Sequence, residues 1–270
     1  MLRPYAILHN FPDNQIICGD VIDVMNSLPS DSARLAIADP PYFNVLLREN
    51  WDTSWQNEDD YLGWTTLWMR AAMRVLVPGG LLYCFGQVGK REHVMLHLMS
   101  QAAREYSFQD LIIWDRIVGY NNRADSFNPA YEMTIVLHKD GAPPLFDKDA
   151  VREIYDEKTI ALYSRDKRYK NADARREHLH RGKYATNIWR IASLKGSSQE
   201  KVGHPSQKLL SLIERMLLSC SQSGERVLDV FCGSGTTSLA AQNHGRIFIG
   251  IDADETYCTM ARQRLSDQEN

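Results

Sequence analysis

The order of apolar and polar positions along the chain predicts strands and helices in regular alternation. Short apolar runs bounded by turn residues read as strands over 14–18, 35–38, 81–85, 111–114, 133–138, 226–231 and 246–251. Between them, apolar residues recur at helical spacing: from Asp20, at a cap position, to about 28, then over 61–76, 90–103, 209–220 and 238–243. Pro78-Gly79-Gly80 breaks the helix before the strand at 81–85. Strands separated by helices in this way indicate an α/β sheet. Two stretches stand outside the pattern: 43–60, with Asn44, Asn50, Trp51, Asp52, Trp55 and Asn57, and the polar loop 121–125. The first is long for a loop in a folded domain, and such loops tend to be functional.

The strand at 35–38 ends abruptly in Asp39-Pro40-Pro41-Tyr42. Paired prolines forbid helix and further strand pairing, so a carboxylate, two rigid residues and an aromatic ring stand at the carboxyl end of a buried strand. Open α/β sheets bind ligands there. Asp39 is thus an acceptor held beside a stacking surface.

A second unit lies near the other end. Arg226-Val227-Leu228-Asp229-Val230-Phe231 runs into Cys232-Gly233-Ser234-Gly235-Thr236-Thr237, then a helix, then a strand ending in Asp252. A strand, a glycine turn, a helix and a second strand ending in an acid is the arrangement that holds an adenosine-containing cofactor. The glycines let the backbone approach the ligand, and Asp252 can accept from both ribose hydroxyls. The turn lacks the third glycine of a pyrophosphate site, and Asp229 would repel a diphosphate. Asp229 suits an ammonium group instead, so the ligand inferred is zwitterionic and adenosine-linked, a description that S-adenosylmethionine meets.

Charge changes the picture in one place. The 270 residues carry a net charge of -3, but 13 Lys and Arg stand against 7 Asp and Glu from Arg152 to Lys201. The rest of the chain is correspondingly acidic, which suits a sulfonium cofactor. In the basic stretch Arg165, Lys167, Arg168, Lys170, Arg175, Arg176 and Arg181 are interleaved with Tyr169, His178 and His180, a mixture that fits phosphate contact and base reading. At 44% hydrophobic content the chain can build a real core, and no run approaches a membrane span. The start lacks the apolar core of a secretory signal, so a cytoplasmic protein is expected. Cys18, Cys84, Cys220, Cys232 and Cys258 mostly lie in apolar segments with no close pair suited to zinc. Buried, reduced thiols and no metal are expected.

Asp39-Pro40-Pro41-Tyr42 with Asp229-Val230-Phe231-Cys232-Gly233-Ser234-Gly235 resembles the amino-methyltransferases of DNA. The catalytic motif precedes the basic segment and the cofactor motif comes last, the order of the permuted beta group. His204-Pro205-Ser206-Gln207-Lys208 resembles that group's His-Pro-Thr-Gln-Lys-Pro motif, with Ser206 keeping the hydroxyl and Leu209 replacing the final proline. Gly19-Asp20 resembles the segment at the cofactor's adenine, and Val77-Pro78-Gly79-Gly80 the turn before the fifth strand.

The resemblance implies a Rossmann-like, circularly permuted α/β fold: a seven-stranded mixed sheet with helices on both faces, residues 133–138 as the antiparallel strand, and a target-recognition insert. Residues 1–141 would form the catalytic part, 142–202 the insert, and 203–270 the cofactor-binding part of the same domain. It implies methyl transfer from S-adenosylmethionine to the 6-amino group of a flipped-out adenine in double-stranded DNA. Asp39, Pro40, Pro41 and Tyr42 would be catalytic. Asp20, Asp39, His204, Ser206, Lys208, Asp229, Phe231, Cys232, Gly233, Ser234, Gly235, Thr236 and Asp252 would hold the cofactor, and the seven cations named above the DNA. A homodimer and a companion restriction endonuclease fit the same reading. Cytosine 4-amino methylation, usually with Ser in place of Asp39, is the alternative; a protein glutamine methyltransferase, with Asn there, is remoter.

Overall fold

A computed structural model describes residues 12–43, 45, 52–88, 93–119, 124–165, 168 and 171–267. In chain order the elements are β1 (Gln15–Cys18), α1 (Val21–Ser27), β2 (Ala33–Ala38), α2 (Glu58–Val75), β3 (Leu76–Gly86), α3 (Val94–Glu105), β4 (Ser107–Asp115), β5 (Tyr131–His138), α4 (Glu157–Ser164), α5 (Ala172–Arg181), β6 (Ile188–Arg190), α6 (Leu210–Cys220), β7 (Arg226–Asp229), α7 (Thr236–Asn243), β8 (Ile247–Asp252) and α8 (Glu255–Ser266).

Strand alternation builds the layers. In β2, Leu35 and Ile37 face one side with α6, α7 and α8, whereas Ala36 and Ala38 face the other with α1, α2 and α3. The same split separates Val227 from Leu228 in β7 and Phe248 from Ile249 in β8. A two-residue period buried on both faces is what a sheet covered by helices on each side requires.

The strand order is β1-β8-β7-β2-β3-β5-β4-β6. β1 pairs parallel with β8 and β2 parallel with β7, so both ends of the chain enter one sheet, as the permuted order implies. β5 runs antiparallel between β3 and β4, as expected. The sheet has eight strands among the described residues, not seven. The eighth, β6, is three residues of the basic stretch laid parallel along the edge of β4, with Trp114 Nε1 donating to Ile191 O at 2.7 Å.

Most element ends have a local cause. Asp20 caps α1 by accepting from Ile22 N and Asp23 N, and Asn57 caps α2 through Asp60 N. The Pro78-Gly79-Gly80 turn, expected to precede its strand, lies inside β3, because pairing with β2 resumes across a bulge between Ala33 and Leu35. In the insert, α4 and α5 are joined at their bases by a bridge between Glu153 and Lys183, and Ile160 and Leu179 supply their buried contacts.

Gly250 marks where β1, β8 and α7 meet. A side-chain carbon there would stand 2.4 Å from Ile16 Cδ1 and 2.9 Å from Ser238 Oγ. Gly250→Ala should therefore destabilise the fold by about 1–3 kcal/mol through overpacking. Urea unfolding should report a lower midpoint with an unchanged slope, and an unchanged midpoint would contradict this packing.

Candidate active site

Moving outward along the sheet from the β7–β2 seam, the connections run in opposite directions, and crevices at such reversals bind ligands in open α/β sheets. Register places Ile37 opposite Asp229, and Val230 N donates to Ile37 O at 3.0 Å. The Asp39 turn and the glycine turn therefore leave adjacent strands side by side. A cavity of about 910 Å³ opens there, lined by both turns, by residues 204–208 and by Trp55 and Trp64.

On the β2 side, Asp39 is engaged at both oxygens. The Tyr42 hydroxyl donates to Oδ1 at 2.5 Å, and Lys208 Nζ donates to Oδ2 at 2.6 Å. Burial, then the Asp39 charge, push the Tyr42 hydroxyl well above the ordinary phenol range, so it remains a donor. Burial alone would pull Lys208 down, but Asp39 and Glu132 outweigh it and hold the ammonium above its usual value. Glu132 stands 3.4 Å from Lys208 and receives Arg116 Nη1 at 3.0 Å. Tyr61 donates to Pro41 O at 2.9 Å and fixes the second proline.

On the β7 side, Gly235 is the N-cap of α7 at φ 72 and offers no side chain to the helix. Asp229 does that work from the strand: its Oδ2 accepts from Ser238 N at 3.0 Å and Ser238 Oγ at 2.9 Å. Burial raises its carboxyl to about 7. Asp252 accepts from Gly233 N at 2.8 Å and Asp254 N at 2.9 Å, each oxygen keeping a lone pair for a further donor. Phe231 packs its ring on Trp64 and Trp68.

Residues 204–208 close over the glycines. A side-chain carbon on Gly233 would stand 2.9 Å from His204 Nε2, and His204 is held from its other neighbour by Tyr257, ring centroids 4.4 Å apart. Ser206 N donates to His204 Nδ1 at 3.3 Å. Behind the turn, buried Arg264 donates to Ser234 O and Thr236 Oγ1, and Thr236 in turn donates to Lys208 O.

Of the expected site residues, Asp20, Asp39, Pro40, Pro41, Tyr42, His204, Ser206, Lys208, Asp229, Phe231, Cys232, Gly233, Ser234, Thr236 and Asp252 all line this cavity; Gly235 lies behind it as the helix cap. Sequence reasoning missed Arg116, Glu132, Trp55, Trp64, Tyr257 and Arg264. Glu132 was the most legible of these: it is an acid at the start of the apolar run 133–138. The rest depend on which helix packs where.

Of the expected DNA contacts, Arg165 caps α4, and Arg175, Arg176 and Arg181 lie on α5. Arg181 is paired with Asp149 at 3.0 Å. Arg168 is exposed, and Lys167 and Lys170 lie outside the described residues. The expectation about cysteines needs correction. Cys18 is exposed, and the fold brings it within 4.8 Å of Cys258 and Glu255, because β1 and β8 end together. All five thiols are free.

Residues 33–263 match the DNA methylase family designated N6_N4_Mtase. The chain belongs to this family of DNA methylases. The methylase is 28% identical over 253 residues to the DNA adenine methyltransferase YhdJ of Escherichia coli, covering 93% of this chain and 82% of that one. It superposes with a TM-score of 0.60 on TTHA0409, a DNA modification methylase of Thermus thermophilus complexed with S-adenosyl-L-methionine, at 21% identity over 94% of this chain and 95% of that one. It superposes with a TM-score of 0.67 on the PvuII cytosine-N4-specific DNA methyltransferase, at 17% identity over 93% and 89% of the two chains. Among the described residues no helix of the methylase is long and apolar enough to cross a membrane.

Burial, with Lys208 nearby, lowers the His204 imidazole from 6.5 to about 4. A histidine kept neutral in the fold supports it fully above the unfolded value. That support is lost as the pH falls toward 4, because the unfolded chain then takes up the proton first. The methylase should lose up to about 3 kcal/mol of stability between pH 6.5 and 4 from this group. His204→Gln should flatten that limb in thermal melts across the window, and a limb of equal slope in the variant would contradict the assignment.

Proposed function

We propose that the methylase transfers a methyl group from S-adenosylmethionine to the exocyclic 6-amino group of an adenine flipped out of duplex DNA at a specific site. The observation that supports this most is the meeting of Asp39 with the glycine turn and Asp252 in one cavity, large enough for a nucleoside cofactor beside a base. The residues fit that cofactor. Asp252 has lone pairs for ribose hydroxyls; the Gly233 backbone is bare where a side chain would strike His204; and Asp20, Asp39, Asp229 and Asp252 set four carboxyls around a cationic ligand. Asp229 divides its role, because one oxygen is committed to Ser238.

S-adenosylmethionine, when bound, supplies the electrophilic methyl. An adenine amine is a weak nucleophile because its lone pair is delocalised into the ring. Asp39 accepts one amine hydrogen and the Pro40 carbonyl the other, which draws the nitrogen toward tetrahedral geometry and frees its lone pair. Tyr42, fixed by its bond to Asp39, stacks on the base. Positioning carries most of the catalysis, as is usual when reactants are held at near-attack distance. Flipping costs a few kcal/mol, which binding to the DNA backbone offsets. The Asp at position 39 favours adenine, and the likeness to YhdJ in sequence supports the same choice. Direct detection of modified bases in DNA from cells expressing the protein tests it: 6-methyladenine is expected, and 4-methylcytosine alone would overturn the choice of base.

Asp39→Ala should abolish transfer while cofactor affinity stays near that of the unaltered protein. Gly233→Val should instead block cofactor binding, and Asp252→Ala should weaken it by about 1–3 kcal/mol. Calorimetry and a transfer assay on the same preparations separate the three, and substantial turnover by Asp39→Ala would defeat the mechanism.

The exposed Arg176 tests the DNA surface. If it meets a phosphate, Arg176→Ala should flatten the log–log salt dependence of duplex affinity by about one unit. An unchanged slope would remove it from the interface.

A further inference from the structure

In this structure neither Asp39 oxygen is idle: Tyr42 holds Oδ1 and Lys208 holds Oδ2. The proposed chemistry asks the same carboxylate to accept from an incoming amine. One of the two present donors must yield, and the surroundings of Lys208 indicate which.

Lys208 lies between two buried acids. Asp39 is at 2.6 Å on one side, and Glu132, only 4% exposed, is at 3.4 Å on the other. Glu132 uses Oε1 to receive Arg116, while its Oε2 closes no hydrogen bond and faces the ammonium. A buried carboxylate oxygen without a hydrogen bond is a seat waiting for a donor. The rings of Phe85 and Tyr42, with centroids 5.1 and 5.5 Å from Nζ, flank the ammonium and favour a cation there. A lysine on a flexible four-carbon stem can move between two such acceptors without leaving the pocket.

We propose that Lys208 is a two-position latch, seated on Asp39 while the site is empty and on Glu132 when the target amine arrives, so that Lys208 and Glu132 are positioning residues for the transfer. This rests on the function proposed above. The order Arg116, Glu132, Lys208, Asp39 alternates in sign, and the shift keeps every charge paired: Glu132 then holds both cations while Asp39 turns to the amine. Without the second seat, the amine would have to displace a buried ammonium with nowhere to go, which is costly in a low-dielectric site.

The test measures transfer at saturating DNA and cofactor, with cofactor affinity by calorimetry, in the full chain. Glu132→Gln keeps the shape, but its amide can accept from only one of the two cations. Lys208 then stays on Asp39, and kcat should fall by about tenfold to a hundredfold, with cofactor affinity unchanged. The double variant Glu132→Gln with Lys208→Met removes the blocking ammonium as well and should recover most of the lost rate, an outcome that a merely structural role for Glu132 does not give. If Glu132→Gln fails to fold, Glu132→Asp takes its place: its shorter carboxylate should lower kcat partially at unchanged cofactor affinity. Undiminished kcat in the single variant that folds, or a double variant no faster than Glu132→Gln, would overturn the latch alone. Absence of transfer to DNA by the unaltered protein would overturn the proposed function, and the latch with it.

Discussion

The site depends on keeping one carboxylate charged in a largely enclosed place. Asp39 must be an acceptor, so it cannot be left to take up a proton, and a partly buried acid without partners would do so. Lys208 and the Tyr42 hydroxyl meet that need from two directions. Lys208 reaches Asp39 from a segment 169 residues away. That is why the strand from the start of the chain and the loop that follows the insert must be locked in register. The parallel pairing of β2 with β7, and Thr236 donating to Lys208 O, provide the lock.

The cofactor side solves a different problem, that of holding a bare glycine turn still. Gly233 and Gly235 sit at positive φ, where a turn without side chains would be free to sample other shapes. Each is braced from outside: Gly233 by His204 and by Asp252, which takes its N–H, and Gly235 by close packing against Ala261 of α8. Asp229 caps α7 from within the strand, and Arg264 ties Ser234 to Thr236. The turn gains its rigidity from neighbours rather than from its own sequence, so the backbone can approach a ligand closely without being floppy.

Much of this was legible in the sequence because the signals were local. The strand runs, the prolines after Asp39, the glycine turn and the two acids at strand ends each declare their geometry within a few residues. Their order along the chain implied a sheet assembled from both ends, as found. What could not be read was long-range or polar. β6 is three residues with no period to detect, α5 has little apolar content beyond Leu179, and α8 hides its apolar contacts among charges. The meeting of Cys18 with Cys258 follows from β1 lying beside β8, which no spacing rule encodes. Lys208 was visible as part of a motif, but its seat on Asp39 needed Glu132, a residue of the antiparallel strand.

The insert illustrates why charge counted along a sequence overstates charge offered to a partner. Lys183 and Arg215 share Glu153, Arg152 and Arg181 share Asp149, and the Arg152 guanidinium stacks on Tyr184 at 3.9 Å. These cations hold the insert together and fasten it to α6, at some cost to the field it projects. A phosphate competing for Arg181 must contend with Asp149, whereas Arg176 is an exposed residue on the same helix. DNA binding by this surface therefore depends on fewer side chains than the basic count suggests. The paired cations serve it by keeping α4 and α5 at a fixed angle to the sheet edge that carries Trp114 and Arg116 into the active-site cavity.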